Sequence, residues 1–226
     1  MRKTIIAPSI LSADFRNLEA DIKKVMYAGA DWIHCDVMDG VFVPNISFGA
    51  MIVEQIAPVV EEFNKENGKN VIIDTHLMIT EPIRYVEQFA NAKSDYITVH
   101  ADACADLKAT ADKIKALGKK VGVSVNPDKD ISLFTKQIKD IDLVLIMSVF
   151  AGFGGQKFIE DTMQKVRELV KIRKEQNLDF LIEIDGGINQ DTAKICVENG
   201  ADVLVAGSYI FGKDKNYADL TALLRN

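Results

Sequence analysis

Ile33-His34-Cys35-Asp36-Val37-Met38-Asp39-Gly40 is the stretch from which the rest of this chain can be read. It is an apolar run of strand length in which an imidazole and a carboxylate stand two residues apart, so both leave the same face of the ribbon. That spacing chelates, and Cys35 between them points the other way. Two further apolar runs end in the same kinds of side chain, Asp74-Thr75-His76-Leu77-Met78 and Glu183-Ile184-Asp185-Gly186-Gly187. Three strand ends therefore offer ligands of the type a divalent metal takes.

Outward from that stretch, apolar runs of strand length alternate with longer amphipathic segments, and no linker or low-complexity tract interrupts them. The pattern predicts strands over 5–10, through His34 and Asp36, and over 71–76, 96–100, 121–125, 143–147, 180–185 and 203–206. Asp14 is expected to cap a first helix whose stripe is Phe15, Leu18, Ile22, Val25 and Met26, stopped by Gly29. Further helices are expected around 53–63, after Pro82, up to Gly118, briefly from Ile131, over 159–176, after Asn189 and near Tyr217. A faint repeat runs through the chain, in which Gly29-Ala30-Asp31, Lys93-Ser94-Asp95 and Gly200-Ala201-Asp202 each close a helix and open a strand.

Most of the strands are near-continuous Val/Ile/Leu runs, as a parallel sheet buried on both faces requires. Eight such units predict a single-domain (β/α)8 TIM barrel over 1–226, with an open doubly wound sheet as the alternative. In a barrel the C-terminal ends of all strands share one rim. His34, Asp36, His76 and Asp185 would meet there.

Composition narrows the function. The 226 residues are 48% hydrophobic and 27% charged, which provides a large core and excludes disorder. A net charge of −6 without a basic block argues against a nucleic-acid surface, so any phosphate site must be local. Cys35, Cys104 and Cys196 form no C-x-x-C pair and read as reduced thiols of a cytoplasmic protein. Met1-Arg2-Lys3 runs straight into a strand rather than a signal-peptide core, and no apolar stretch approaches the roughly 20 residues of a membrane span.

Two imidazoles and two carboxylates make an N/O site for one divalent ion, with zinc first and iron(II), manganese or cobalt also compatible. His100 reads as a structural strand-end histidine, while Asp39 and Asp74 read as local hydrogen-bonding groups or as supports of the ligands. Met38, Met78 and Met147 fall at strand ends on the same rim, either as adaptable packing or as an apolar lid over a reactive anion. Glycine turns follow the last three strands at Gly152-Phe153-Gly154-Gly155, Gly186-Gly187 and Gly207-Ser208, where backbone amides could cradle a phosphate. Nucleotide readings drop away, because Lys157 breaks G-x-G-x-x-G and no Gly-Lys is followed by Ser or Thr. A Schiff-base aldolase is also excluded, since none of the expected strand ends carries a lysine.

A metal flanked by carboxylates, with a phosphate clamp across the rim, suits removal of a proton from carbon beside the carbonyl of a sugar phosphate. A positioned base supplies only about 10²–10⁴-fold, so the developing charge must also be stabilised. If Asp36 and Asp185 face each other across the substrate, one takes a proton and the other returns it on the opposite face. The outcome is epimerisation.

At these residues the chain resembles the ribulose-phosphate 3-epimerase family over nearly its whole length. The resemblance rests on Ala7-Pro8-Ser9-Ile10-Leu11-Ser12-Ala13-Asp14-Phe15, Asp36-Val37-Met38-Asp39-Gly40-Val41-Phe42-Val43-Pro44-Asn45, His76-Leu77-Met78, Gly152-Phe153-Gly154-Gly155-Gln156, Asp185-Gly186-Gly187 and Ala206-Gly207-Ser208. It implies metal ligands at His34, Asp36, His76 and Asp185, with Asp36 as proton acceptor and Asp185 as donor. It implies substrate contacts at Ser9, His76, Gly152, Phe153, Gly154, Gly155, Asp185, Gly186, Gly187, Gly207 and Ser208, and a methionine cap at Met38, Met78 and Met147. The implied reaction interconverts D-ribulose 5-phosphate and D-xylulose 5-phosphate in the pentose phosphate pathway, in a homo-oligomer. Two departures stand out. Phe150-Ala151 replaces the family's usual Asn-Pro, which predicts a freer turn and keeps a ketohexose 6-phosphate such as D-allulose 6-phosphate as a rival substrate. Asp102 stands where the family commonly has Glu. A non-catalytic sugar-phosphate-binding barrel shares the same residues and remains the third reading.

Overall fold

A computed structural model of the chain describes residues 3–212 and 216–225. Met1 and Arg2, read above as the start of a chain without a signal core, lie outside the described residues. Eight strands form one sheet: β1 (Ile5–Pro8), β2 (Trp32–Met38), β3 (Ile72–Met78), β4 (Tyr96–His100), β5 (Lys120–Val125), β6 (Leu143–Met147), β7 (Leu181–Asp185) and β8 (Val203–Ala206). Each is parallel to its sequence neighbour from β2 to β8, and β8 pairs in parallel with β1. The remaining seam, between β1 and β2, is closed by one parallel bridge from Ser9 to His34. The expected (β/α)8 barrel is the observed fold.

The helices between strands are α1 (Leu18–Tyr27), α2 (Ala50–Asn67), α3 (Val86–Asn91), α4 (Leu107–Ala116), α5 (Ser132–Thr135), α6 (Met163–Glu175) and α7 (Gln190–Asn199), with α8 (Tyr217–Leu223) last. Boundaries shift where short 3₁₀ turns intervene. Ser9 accepts from the Leu11 amide and turns the chain into a 3₁₀ segment, so β1 stops at Pro8. Asp14 does cap, but it caps the turn Phe15–Asn17 rather than α1. That turn rotates Phe15 off the expected stripe; it is 45% exposed and packs beside Phe48. Asn189 starts α7 with a reciprocal capping box shared with Thr192.

The faint repeat has a structural meaning. The Asp31 carboxylate accepts from the Ile6 amide at 2.9 Å, Asp95 from Ile73 at 2.8 Å, and Asp202 from Ile182 at 2.9 Å. Asp142 does the same for Val121 at 2.9 Å, a fourth copy that the sequence pattern does not reveal. Each aspartate precedes an even-numbered strand and ties down the start of the odd-numbered strand before it. The barrel is thus pinned at its N-terminal end in four equivalent places.

Alternation along the strands sorts side chains between the barrel's lumen and its outer surface. Cys35 and Val37 face outward into the main apolar core beneath the helices. Inside, an apolar plug of Ala7, Trp32, Leu143, Val203 and Val205 seals the N-terminal end, with Trp32 stacked on Tyr96 at 4.9 Å. Above the plug the lumen turns polar. His34, Asp74 and Glu183 are wholly buried there, and Asp36, His76 and Asp185 lie one residue pair nearer the C-terminal rim. Among the described residues, no helix is long and apolar enough to cross a membrane.

Candidate active site and metal centre

Parallel register brings the candidate metal-binding residues of β2 and β3 into direct apposition. His34 pairs with Asp74, Asp36 with His76 and Met38 with Met78. Asp185 arrives from across the lumen at the end of β7, where its partner on β6 is Met147. One ligand atom from each of His34, Asp36, His76 and Asp185 falls within 4.8 Å of all the others. Residues far apart in the chain therefore form one compact donor set.

Asp36 is the hub. Its Oδ1 lies 3.3 Å from His34 Nε2 and 3.1 Å from His76 Nδ1, and its Oδ2 accepts from Ser9 Oγ at 2.6 Å. Burial alone would raise its carboxyl, but His34 and then His76 hold it well below the usual carboxylate range. Asp185 is treated oppositely. Burial first, then repulsion from Asp36, pushes it up to about 8. Two carboxyl groups facing one pocket therefore differ sharply in their hold on a proton.

Asp74 is hydrogen-bonded to a candidate ligand, since His34 Nδ1 lies 2.6 Å from its Oδ2. A carboxylate behind an imidazole fixes the ring and directs Nε2 toward the cluster. Although burial opposes it, the charge of Asp36 and Asp74 raises the proton affinity of His34 well above normal. The same negative field is what a divalent cation would meet, and the two-histidine, two-carboxylate set fits such an ion. Asp39 turned out to be local: it accepts from the amides of Val41, Phe42 and Thr80, each at 2.8 Å, and shapes the loop after β2.

Two residues gained importance only in three dimensions. Glu183, two residues before Asp185, lies 3.7 Å from His34 Nδ1. Neither of its oxygens has a hydrogen-bond partner among the described residues, and burial followed by Asp74 raises its carboxyl well above normal. Period-two alternation placed it on the same face as Asp185, which was the available signal. His100, expected to be merely structural, meets His76 edge to edge, with ring centroids 5.0 Å apart and Nε2 atoms 2.9 Å apart.

Above the cluster a pocket of about 560 Å³, open solvent at its mouth included, is lined by Ser9, Asp36 and Asp185. Met38, Met78 and Met147 form its apolar walls, and the turns Gly152 to Gly155, Gly186-Gly187 and Gly207-Ser208 form its rim. His34 and His76 lie beneath, fully buried. The Gly186-Gly187 turn needs glycine. Gly187 has φ +64, and a Cβ there would lie 2.7 Å from the Phe158 amide nitrogen.

The loop after β6 was expected to be freer without its proline. Instead it is tied at three points. The Ala151 amide donates to Asn126 Oδ1 at 3.1 Å, Asn45 Nδ2 donates to the Gly152 carbonyl at 2.8 Å, and Gln156 Nε2 donates to the Phe150 and Phe153 carbonyls at 2.7 and 2.8 Å. An alanine supplies the N–H that a proline lacks, so side-chain bonds replace ring rigidity.

Comparison with known proteins agrees with this geometry. Residues 5–211 match the Ribulose-phosphate 3 epimerase family. The ribulose-phosphate 3-epimerase of Bacillus subtilis (strain 168) is 47% identical over 209 residues, 92% of each chain. That of Synechocystis sp. is 45% identical over 227 residues, covering 100% of this chain and 94% of the relative. The chloroplastic ribulose-5-phosphate-3-epimerase of Arabidopsis thaliana is 44% identical over 95% of this chain and 74% of its own. Among solved structures, 3-hexulose-6-phosphate synthase from Salmonella typhimurium superposes with a TM-score of 0.66 at 20% identity, covering 99% of this chain and 96% of the other. KGPDC from Streptococcus mutans gives 0.66 at 15% identity, covering 99% and 96%. These two support the barrel fold. With sequence match, strand topology and donor set in agreement, the chain belongs to the ribulose-phosphate 3-epimerase family.

Proposed function

We propose that this chain is an isomerase that interconverts D-ribulose 5-phosphate and D-xylulose 5-phosphate by moving a proton at C3. The observation that carries the reading is the meeting of Asp36 and Asp185, with ligand oxygens within 4.8 Å, at the floor of one pocket in a chain of this family. Asp36, whose carboxyl is held against burial well below the usual carboxylate range, with His34 the leading cause, takes the C3 proton from one face of the ketose. Asp185 carries a proton and delivers it to the opposite face. The reverse reaction exchanges their roles.

A divalent cation held by His34, Asp36, His76 and Asp185, with zinc as our choice, would supply electrostatic stabilisation of the charge that develops on the enediolate oxygens. Ser9 holds the Asp36 carboxylate in line through its 2.6 Å bond. Met38, Met78 and Met147 exclude water from the reacting carbon, which strengthens every charge interaction there. The amides of Gly186, Gly187, Gly207 and Ser208 take the phosphate, and the Gly152 to Gly155 loop covers it.

The reading includes one barrel domain over 1–226, a cytoplasmic location and homo-oligomeric assembly. Val41 and Ile46, each 76% exposed on the loop after β2, supply apolar surface for such a contact. The test is formation of xylulose 5-phosphate by the purified, zinc-loaded protein, together with solvent deuterium entering C3. Neither product nor label refutes the reading, whereas tight binding without exchange identifies a sugar-phosphate-binding barrel instead. Phe150, half exposed at the pocket rim, is the feature that favours a longer ketose. A higher kcat/KM on D-allulose 6-phosphate than on the pentose would transfer the assignment to that substrate.

A further inference from the structure

Two ring nitrogens face each other in the barrel lumen, His76 Nε2 and His100 Nε2, 2.9 Å apart. Two N–H groups cannot point at each other across that distance, and two lone pairs repel, so this contact holds one proton. The rings meet edge to edge, with centroids 5.0 Å apart and planes 23° apart, and Phe42 packs against His100 at 4.8 Å. Both rings are wholly buried.

Where that proton resides depends on the outer nitrogen of each ring: without a cation Asp36 Oδ1, 3.1 Å from His76 Nδ1, draws a proton there, and a cation bound at Nδ1 removes that pull and leaves the choice to His100. Its Nδ1 is buried and has no hydrogen-bond partner among the described residues, but Asp102 Oδ1 lies 3.8 Å away. A lone pair directed at that carboxylate is unfavourable, and an N–H directed at it is favourable. With a cation on His76 Nδ1, the proton on His100 therefore belongs on Nδ1, which makes its Nε2 the acceptor and His76 Nε2 the donor. In that tautomer the His76 Nδ1 lone pair stands 3.1 Å from Asp36 Oδ1. Two electron pairs at that separation call for a cation.

We infer that His100 is a positioning residue, which fixes His76 in the Nε2-protonated tautomer and so presents Nδ1 as a ready metal ligand. The inference rests on the metal-site reading above and assigns to His100 and Asp102 a role in setting the affinity of that site. Groups that hold a metal-ligating histidine from behind are worth about 10–100-fold in metal affinity.

The test uses Zn²⁺ as probe and does not depend on turnover. Zinc titration with a competing chelator should show His100→Phe, which keeps an aromatic ring but no acceptor, binding about 10–100-fold more weakly than the unsubstituted protein. His100→Gln, whose amide oxygen can accept from His76 Nε2, should recover most of the affinity. A role in packing alone predicts the reverse order, with Phe retained and Gln impaired, and that result overturns the inference. Long-range ¹H–¹⁵N spectra of the unsubstituted, zinc-loaded protein give an independent answer even if a variant fails to fold. They should show protons on His76 Nε2 and His100 Nδ1; a proton on His76 Nδ1 overturns it. Absence of zinc binding by the unsubstituted protein would instead refute the metal site itself.

Discussion

Ser9 Oγ donates to Asp36 Oδ2 at 2.6 Å beside the single bridge that joins β1 to β2. The seam of the barrel and the proposed catalytic base are thus held by the same residue. Ser9→Ala removes a donor from a buried carboxylate, and hydrogen bonds to charged groups are worth about 1.5–3 kcal/mol. Steady-state kinetics should show kcat/KM lower by about 10- to 100-fold. An unchanged kcat/KM would remove Ser9 from the site.

Asp185→Asn separates binding from chemistry. The amide is nearly isosteric and keeps the pocket's shape, but it cannot return a proton to C3. Turnover should fall by at least about 10²–10⁴-fold, the usual worth of an acid or base, while a substrate titration retains affinity. Activity close to that of the unsubstituted protein would withdraw the role given to Asp185.

Removing the ion should cost stability as well as activity. Asp36, Asp74, Glu183 and Asp185 crowd one part of the lumen, and a cation relieves their repulsion. Saturating zinc at 100 times its dissociation constant contributes about 2.7 kcal/mol. At about 2–4 °C per kcal/mol for a chain of this size, calorimetry after exhaustive chelation should show Tm lower by about 5–11 °C. Zinc should restore both Tm and activity. A Tm insensitive to chelator and zinc would argue against a metal in this cluster.

The loop after β6 makes a coupled prediction. Asn126→Ala deletes the acceptor of the Ala151 amide, and Ala151→Pro deletes the donor. A neutral hydrogen bond is worth about 1 kcal/mol, so Asn126→Ala should lower kcat/KM about fivefold in the unsubstituted background. In the Ala151→Pro background the same change should have little effect. A double-mutant cycle reads the difference, and full additivity would show that the two residues do not hold the loop together.

Much of this architecture follows from the chain's one-dimensional order. Strand and helix periods differ, so eight alternating units were countable, and the period of two put His34 with Asp36 and Glu183 with Asp185 on shared faces. The strand ends then announced the site, because a parallel barrel sends them all to one rim. Helix starts were less legible. At Phe15 and Thr162 a 3₁₀ turn precedes the helix, and local sequence does not distinguish the two kinds of turn.

Tertiary structure decided what depends on register and on approach across the lumen. His100 meets His76 only because β3 and β4 slide to one particular alignment, and Glu183 reaches His34 only because β7 closes opposite β2. The loop's tethers were likewise invisible, since Asn45 and Asn126 bond it from other turns. Residue identity limits which groups are able to bind a proton or a cation. Their mutual distances are set by long-range packing, and those distances determine which groups share one.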